Sequence, residues 1–281
     1  MIKSYKFRRG FTNAFVYVLL AVLGLIWISP LVYLVLHSFR AEGLSDVEYL
    51  IPKSFSFQNY IDLFTKTEFP IWFRNTFVVA VFSCIISTLA VMMVSYSFSR
   101  MRFKARKPMI NIGMILGMFP GFMTMIAIYY LLKAMGLTQT LVALVICYSA
   151  GAGLGYQISK GFFDTIPRAL DEAATIDGAT RNQIFWKIIL PMSKPIIVYT
   201  VLTSFIGPWT DFILAKIIMG TKIDKYTVAI GLQIMLEPGK RLEQFKMFLA
   251  GSVVVAVPIT ILFLVMQRYY VEGVTAGGVK G

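Results

Sequence analysis

Residues 170–191 read LDEAATIDGATRNQIFWKIILP. The stretch carries both signs of charge and a central glycine, yet the sequence on either side is almost continuously apolar. Just upstream, Asp164 or Thr165 is expected to cap a short helix with Pro167 in its first turn, where a missing N–H costs least. Ala169, Leu170, Ala173 and Ala174 then give a compact face of good helix formers. Gly178 is expected to end that helix by taking the left-handed conformation. Thr180 opens a second helix, and Gln183 three residues on completes a capping box. Ile184, Phe185, Ile188 and Ile189 follow at helical spacing, and Pro191 is expected to stop the run. The stretch therefore predicts two short helices sharing one apolar face. A DNA-reading helix-turn-helix fits poorly, because Asp171, Glu172 and Asp177 offset the basic residues and the pair is pinned between apolar runs. A helix pair lying on lipid and a docking surface for a partner both remain, and the small-residue face suits the second.

The surrounding chain sets the class. Its 281 residues are 57% hydrophobic and 15% charged, with a mean hydropathy of +0.72. Soluble domains average roughly 45–50% apolar and about 25% charged, so the departure is towards a membrane protein. Runs of about 20 apolar residues can each cross the hydrocarbon layer as a helix. Six spans are expected, at about 13–39, 72–99, 108–133, 138–159, 194–219 and 245–271, within one transmembrane domain covering 1–281. Open backbone in lipid leaves peptide groups unpaired, so each span is expected to be helical and the fold all-α. The first run is too long for the core of a signal peptide and no small-residue cleavage site follows it, so it reads as a retained span.

The net charge of +13 does not point to nucleic acid, because the basic residues flank the apolar runs. Lys3, Lys6, Arg8 and Arg9 precede the first, and Arg100, Arg102, Lys104, Arg106 and Lys107 lie between the second and third. Lys160, Arg168, Arg181, Lys187 and Lys194 mark the 160–193 loop and the start of the fifth span. The positive-inside rule then places both termini and that loop in the cytoplasm. Residues 220–244, with Lys222, Lys225, Lys240 and Arg241, are the exception, since parity puts them outside.

Chemistry-bearing groups are few. Cys84 and Cys147 fall inside apolar runs, and His37 has no ligand pattern around it, so no metal site is expected. No Walker A pattern occurs, and no nucleophile–base or carboxylate pair suggests catalysis. Pro30, Pro120, Pro208 and Pro258 interrupt spans, and breakers in membranes are tolerated at helix contacts or beside a water-filled path. Asp211 is the one acid deep in an expected span and is a functional candidate by position. It faces the path or a partner subunit, or it forms a structural salt bridge with Lys216. Trp209 suits either stacking on a sugar ring or aromatic packing. Pro120, Trp209 and Asp211 are the candidates for a translocation path. The short 134–137 connection predicts that the third and fourth spans form an antiparallel hairpin.

The spacing from Glu172 to Pro191 also carries a resemblance. E-A-A, three residues, G, nine residues, I, one residue, L-P is similar to the signature of bacterial ABC-importer permease subunits; it falls here on Glu172, Ala173, Ala174, Gly178, Ile188, Leu190 and Pro191. YSFSRMRF at 96–103 and MFPGFMTMIAIYYLL at 118–132 resemble carbohydrate-type permeases, and QRYYVEGVTAGGVKG at 267–281 resembles the C-terminus of the smaller permease subunit of maltose/maltodextrin importers. The resemblance implies a type I importer permease whose 160–193 loop, between spans four and five, is a coupling hairpin seated on an ATPase subunit. It implies that the 272–281 tail, through Thr275, Gly277, Gly278, Lys280 and Gly281, reaches the ATPase dimer. It further implies a second homologous permease subunit, an extracellular sugar-binding protein met by the 233–246 loop with Lys240 and Arg241, and an oligosaccharide substrate, most simply maltodextrin. ATP and Mg would be used by the partner subunits, with no cofactor on this chain and no nucleic-acid partner. An ion-coupled carrier acting alone is the alternative from another class.

Overall fold

The computed structural model describes the backbone of residues 2–42 and 51–278 and, apart from 2–11, 152–154, 241–242 and 270–278, their side chains. Every regular element among them is helical, and the sole extended pairing is one antiparallel bridge between Arg40 and Phe55. The chain divides into two compact units, residues 1–67 with 234–254, and residues 68–233 with 255–281.

In the first unit, α1 (Ile2–Ser38) is apolar on all sides of its described part, and side chains such as Trp27 and Leu25 stand largely exposed. That is the surface of a helix solvated by hydrocarbon rather than water. Beyond its end, α2 (Gln58–Lys66) is tied back by Asn59, whose side-chain amide donates to the carbonyls of Ser38 and Arg40 at 2.9 and 2.8 Å. The hydroxyls of Ser38 and Tyr60 meet at 2.7 Å. Lys246, near the start of α14 (Arg241–Gly278), donates to the carbonyls of Ala41 and Glu42 at 3.3 Å each. Pro30 and Pro258 both lie inside their helices rather than ending them.

The second unit is built on α3 (Phe69–Arg100), 32 residues without a break. At 1.5 Å per residue it is about 48 Å long, more than a bilayer's hydrocarbon thickness. One face carries Ala80, Ser83, Ser87, Ser95 and Ser99, all buried. Small side chains let neighbouring backbones approach closely. Along this seam α3 packs against α6 (Leu141–Leu154), α7 (Tyr156–Thr165) and α11 (Lys194–Thr210). Ser95 Oγ donates to the Tyr156 carbonyl at 3.1 Å, and Ser87 Oγ approaches that of Tyr148 at 3.5 Å.

The expected third, fourth and fifth spans are broken. The third becomes α4 (Arg106–Gly117) and α5 (Gly121–Ala134), which meet at 105°. Pro120 stands at the break with an extended ψ of 124°; its missing N–H and its bias of Phe119 away from the helical region explain the turn. The third and fourth spans still meet, through α4 against α6 and the Tyr156 hydroxyl donating to the Ile110 carbonyl at 3.4 Å, while the bend turns α5 against α12 (Ile213–Met219). The fourth span is α6 and α7, with a bend of 41°. The expected 194–219 span stops at Thr210 and resumes at Ile213, with Asp211 and Phe212 outside either helix. Among the described residues three helices are long and apolar enough to cross a membrane: Thr12–Ser38, Phe69–Arg100 and Glu243–Tyr269. The number rises to 6 if each bent pair counts as one span.

The opposite end of α3 holds the segment that leads into α13 (Val228–Met235). The Asn75 amide donates to the carbonyls of Asp224 and Tyr226 at 2.9 and 3.1 Å. Thr76 Oγ1 accepts the Val228 N–H at 2.8 Å, satisfying one donor at the start of α13. Gly231 lies directly beneath the Trp72 ring, where a Cβ would come within 1.9 Å of Cε3.

Candidate coupling site

The 160–193 loop forms the expected helix pair, with different edges. The first helix, α8, runs Ala169–Ile176 and has no side-chain cap at Arg168. Asp164 and Thr165 do not cap it, because both belong to the last turn of α7. Asp164 there binds Lys160 and Ser99, and Thr165 Oγ1 donates to the Phe162 carbonyl. Pro167 precedes α8 and supplies a carbonyl to Leu170 N–H. At the other end, Gly178 takes φ of +82°. Ala179 N–H bonds the Ala174 carbonyl at 2.9 Å and Gly178 N–H that of Thr175 at 3.1 Å, which is a Schellman closure.

The second helix starts with the predicted capping box. Thr180 Oγ1 accepts from Gln183 N–H, and Gln183 Oε1 accepts from Thr180 N–H at 2.7 Å. After α9 (Arg181–Ile184) the backbone widens into a π turn over Phe185–Ile189, closed by Leu190 N–H on the Phe185 carbonyl. Pro191 does not stop the helix. It occupies the first turn of α10 (Leu190–Met192), where a proline needs no donor, and the chain turns at Ser193 by 82° into α11.

The two helices use their apolar residues differently. Ile184, Phe185 and Ile189 are buried in one cluster with Val91, Met92, Tyr96, Phe163 and Ile196, and Ile188 and Leu190 pack against it. From α8 only Ala174 enters that cluster. Ala169, Leu170, Glu172, Ala173 and Ile176 stay exposed, Ile176 at 86%. The expected shared face is thus split: one alanine anchors α8, and the rest of its small apolar surface is uncovered.

The last turn of α3 fastens the hairpin. Arg100, with 7% of its side chain exposed, donates to the carbonyls of Phe163 at 3.0 Å and Ile166 at 2.7 Å. Its other terminal nitrogen lies 3.2 Å from Asp171 Oδ2. Tyr96, one turn earlier, packs its ring on Phe185 with centroids 4.9 Å apart and reaches the Arg181 carbonyl at 3.3 Å. Between these groups lies a groove of about 190 Å³ lined by Arg100, Arg168, Arg181, Asp171 and Glu172. Along the chain Arg100 is one of several loop charges and Tyr96 part of a family-like stretch; nothing local signals that they grip residues more than 60 positions away.

The path candidates separate. Asp211 accepts the Tyr148 hydroxyl at 2.8 Å and the Leu214 N–H at 3.1 Å, so it fixes the break between α11 and α12. Lys216 is not its partner: Lys216 Nζ donates to Tyr226 Oη at 2.7 Å and lies 4.4 Å from that ring's centre. Trp209 is 2% exposed and packs edge-on against Phe73 at 5.2 Å, which is core packing and not an open stacking platform. An open cleft of about 510 Å³ does lie near the breaks, lined in part by Phe119, Gly121, Thr124, Tyr148, Thr203 and Pro208. Pro120 is flanked by two of its lining residues.

Lys240 sits in an exposed turn 3.9 Å from Glu237, while the Arg241 side chain lies outside the described residues. So do the Thr275 side chain and all of Lys280 and Gly281, while Gly277 and Gly278 are described only as the backbone end of α14. Among the described residues no three His, Cys, Asp or Glu side chains cluster as metal ligands would.

Comparison with known proteins places this geometry. The model of the family described as binding-protein-dependent transport system inner membrane component matches residues 86–275, including α8 to α10 and the end of α3. The chain is 32% identical over 282 residues to the maltodextrin transport system permease protein MalD of Streptococcus pneumoniae, covering 100% of both. It is 34% identical over 285 residues to the galactooligosaccharides transport system permease protein GanQ of Bacillus subtilis, again covering 100% of both. It is 35% identical over 298 residues to the maltose/maltodextrin permease protein MalG of Vibrio vulnificus, covering 99% of this chain and 98% of that one. Among solved structures, a chain of a bacterial ABC transporter that imports the acidic polysaccharide alginate superposes with a TM-score of 0.80 at 22% identity, covering 93% of this chain and 96% of that one. That likeness is one of fold.

Proposed function

Because the chain belongs to the family of binding-protein-dependent transport system inner membrane components, we propose that it is a permease subunit of an ABC importer that moves an oligosaccharide, maltodextrin first, across the inner membrane. The observation that carries the coupling part is α8 itself: a glycine-terminated helix whose Glu172 and Ala173 face outward and whose single buried side chain is Ala174. Uncovered apolar surface on a stably folded helix suits a protein partner, and alanines let that partner approach closely.

In this reading six spans cross the membrane, three of them broken, with both termini and residues 160–193 in the cytoplasm. Glu172, Ala173, Ala174, Gly178, Ile188, Leu190 and Pro191 form or support the seat on an ATPase subunit, and the tail from Thr275 to Gly281 reaches the same dimer. Partner ATPases bind ATP and Mg and supply the energy. A second permease subunit completes the path, to which the cleft beside Pro120 and Tyr148 contributes. An external sugar-binding protein delivers the substrate near Lys240 and Arg241. Membership in a binding-protein-dependent family replaces the alternative of an ion-coupled carrier acting alone. A galactooligosaccharide is the second substrate reading, favoured by the full-length relative of that name.

The test is uptake by the complete transporter in vesicles with its binding protein, offered labelled maltodextrin or galactooligosaccharide. Glu172→Lys should abolish ATP-driven uptake while the subunit still inserts. Normal uptake by that variant would sink the coupling assignment, and a preference for the second sugar would reassign the substrate.

A further inference from the structure

Membrane spans and ATPase must exchange motion through whatever attaches α8 to the permease. That attachment is sparse. One side of α8 holds Ala174 in the buried cluster, and the side chains of Glu172, Ala173 and Ile176 are exposed. Besides its contacts with α9, α8 is linked to the end of α3 by Arg100. Its guanidinium joins three groups from two helices: two carbonyls at the end of α7 and the Asp171 carboxylate of α8. Asp171 is the residue next to Glu172. Arg100 also ends α3, which runs unbroken for 32 residues while the expected third, fourth and fifth spans bend or break. A straight helix passes a displacement at one end to the other; a broken one absorbs it.

The bond itself is unevenly made. The two contacts to α7 carbonyls have hydrogen-bond geometry, while neither Asp171 oxygen nor Arg100 Nε has a hydrogen-bond partner. The α7 side is fixed and the α8 side is held by charge alone. Such a pair keeps α8 attached while letting it shift against α7, because an ion pair is less directional than a hydrogen bond. The planar, multidentate guanidinium can serve carbonyls and carboxylate together; a lysine ammonium offers a point charge without that fork.

We propose that Arg100 is the positioning residue through which movement of α8 reaches α3, and that its pairing with Asp171 couples ATP hydrolysis to sugar movement. The proposal rests on α8 being the ATPase seat.

The experiment uses the complete transporter, reconstituted with its sugar-binding protein, and reads sugar imported per ATP hydrolysed. Arg100→Ala and Asp171→Ala should each assemble with the ATPase and lower that ratio several-fold. Arg100→Lys should lie between them and the parent. The exchange of Arg100→Asp with Asp171→Arg should recover part of the ratio, which a loss of folding would not allow. An unchanged ratio in both alanine variants overturns the proposal, as does loss of assembly in both with no recovery in Arg100→Lys or the exchange. Glu172→Lys run alongside separates the premise: normal ATP-driven uptake in that variant removes the coupling seat itself, whatever Arg100 does.

Discussion

The Tyr148 hydroxyl meets the Asp211 carboxylate at 2.8 Å, joining α6 to the gap between α11 and α12. Asp211 uses its other oxygen on the Leu214 N–H, so one side chain both receives a neighbouring helix and starts the next. An acid that the sequence places inside a span is thereby a structural pin at a break.

Asp211→Ala should lower the thermal stability of the purified subunit, by about 1–3 kcal/mol, because it leaves the Tyr148 hydroxyl and a helix-start N–H without acceptor. Asp211→Asn keeps one acceptor oxygen for one of the two donors and should cost less. Equal losses in the two variants, read by thermal unfolding in detergent, would show that the charge and not the hydrogen bonding matters.

At the hairpin, Gly178→Ala forces a left-handed φ of +82° on a residue with a Cβ, at a cost of about 1–2 kcal/mol. Thr180→Ala removes the cap of the next helix and should cost about 1 kcal/mol. Both should weaken co-purification with the ATPase subunit more than they lower insertion into the membrane. Thr180→Ser, which keeps the accepting hydroxyl, should behave as the parent.

Ala173 and Ala174 should respond in opposite ways to the same change. Ala174→Leu overfills a packed cluster and should destabilise by about 1–3 kcal/mol. Ala173→Leu adds bulk to an exposed surface and should leave stability within about 0.5 kcal/mol. It should nonetheless lower ATP-driven uptake, since the added side chain keeps a partner away. Unaltered uptake in Ala173→Leu would argue that this face docks nothing.

Gly231→Ala should be among the costliest single methyl additions in the chain, since the new Cβ would overlap the Trp72 ring. Overpacking of this kind costs about 1–3 kcal/mol where neighbours can shift. Trp72→Leu, in combination, should restore part of the loss by freeing that space. The pair of melting temperatures decides whether the ring is the obstacle.

Much of this protein was legible along the chain. Apolar runs of membrane length demand helices because an open chain in lipid cannot pair its backbone, and every regular element among the described residues is helical. The Thr180–Gln183 box and the Gly178 turn were readable because capping depends on side chains three or four residues apart. The Glu172–Pro191 spacing pointed to the family for the same reason: it is a local pattern in one hairpin. Local rules misjudged Asp164, Thr165 and Pro191, each of which lies in a helix that runs further than propensity suggests.

Only the tertiary structure decided which residues work together. Arg100 and Asp171, Tyr148 and Asp211, Trp72 and Gly231 are separated by 71, 63 and 159 positions, and no periodicity links them. It also set apart Ala173 from Ala174, identical in the sequence, by burying one and exposing the other. Sequence determined the class, the helices and the capped hairpin, because those follow from solvent and from neighbours a few residues away. The grip on that hairpin, and the side of α8 left open, follow from packing between distant segments, which only the folded chain brings together.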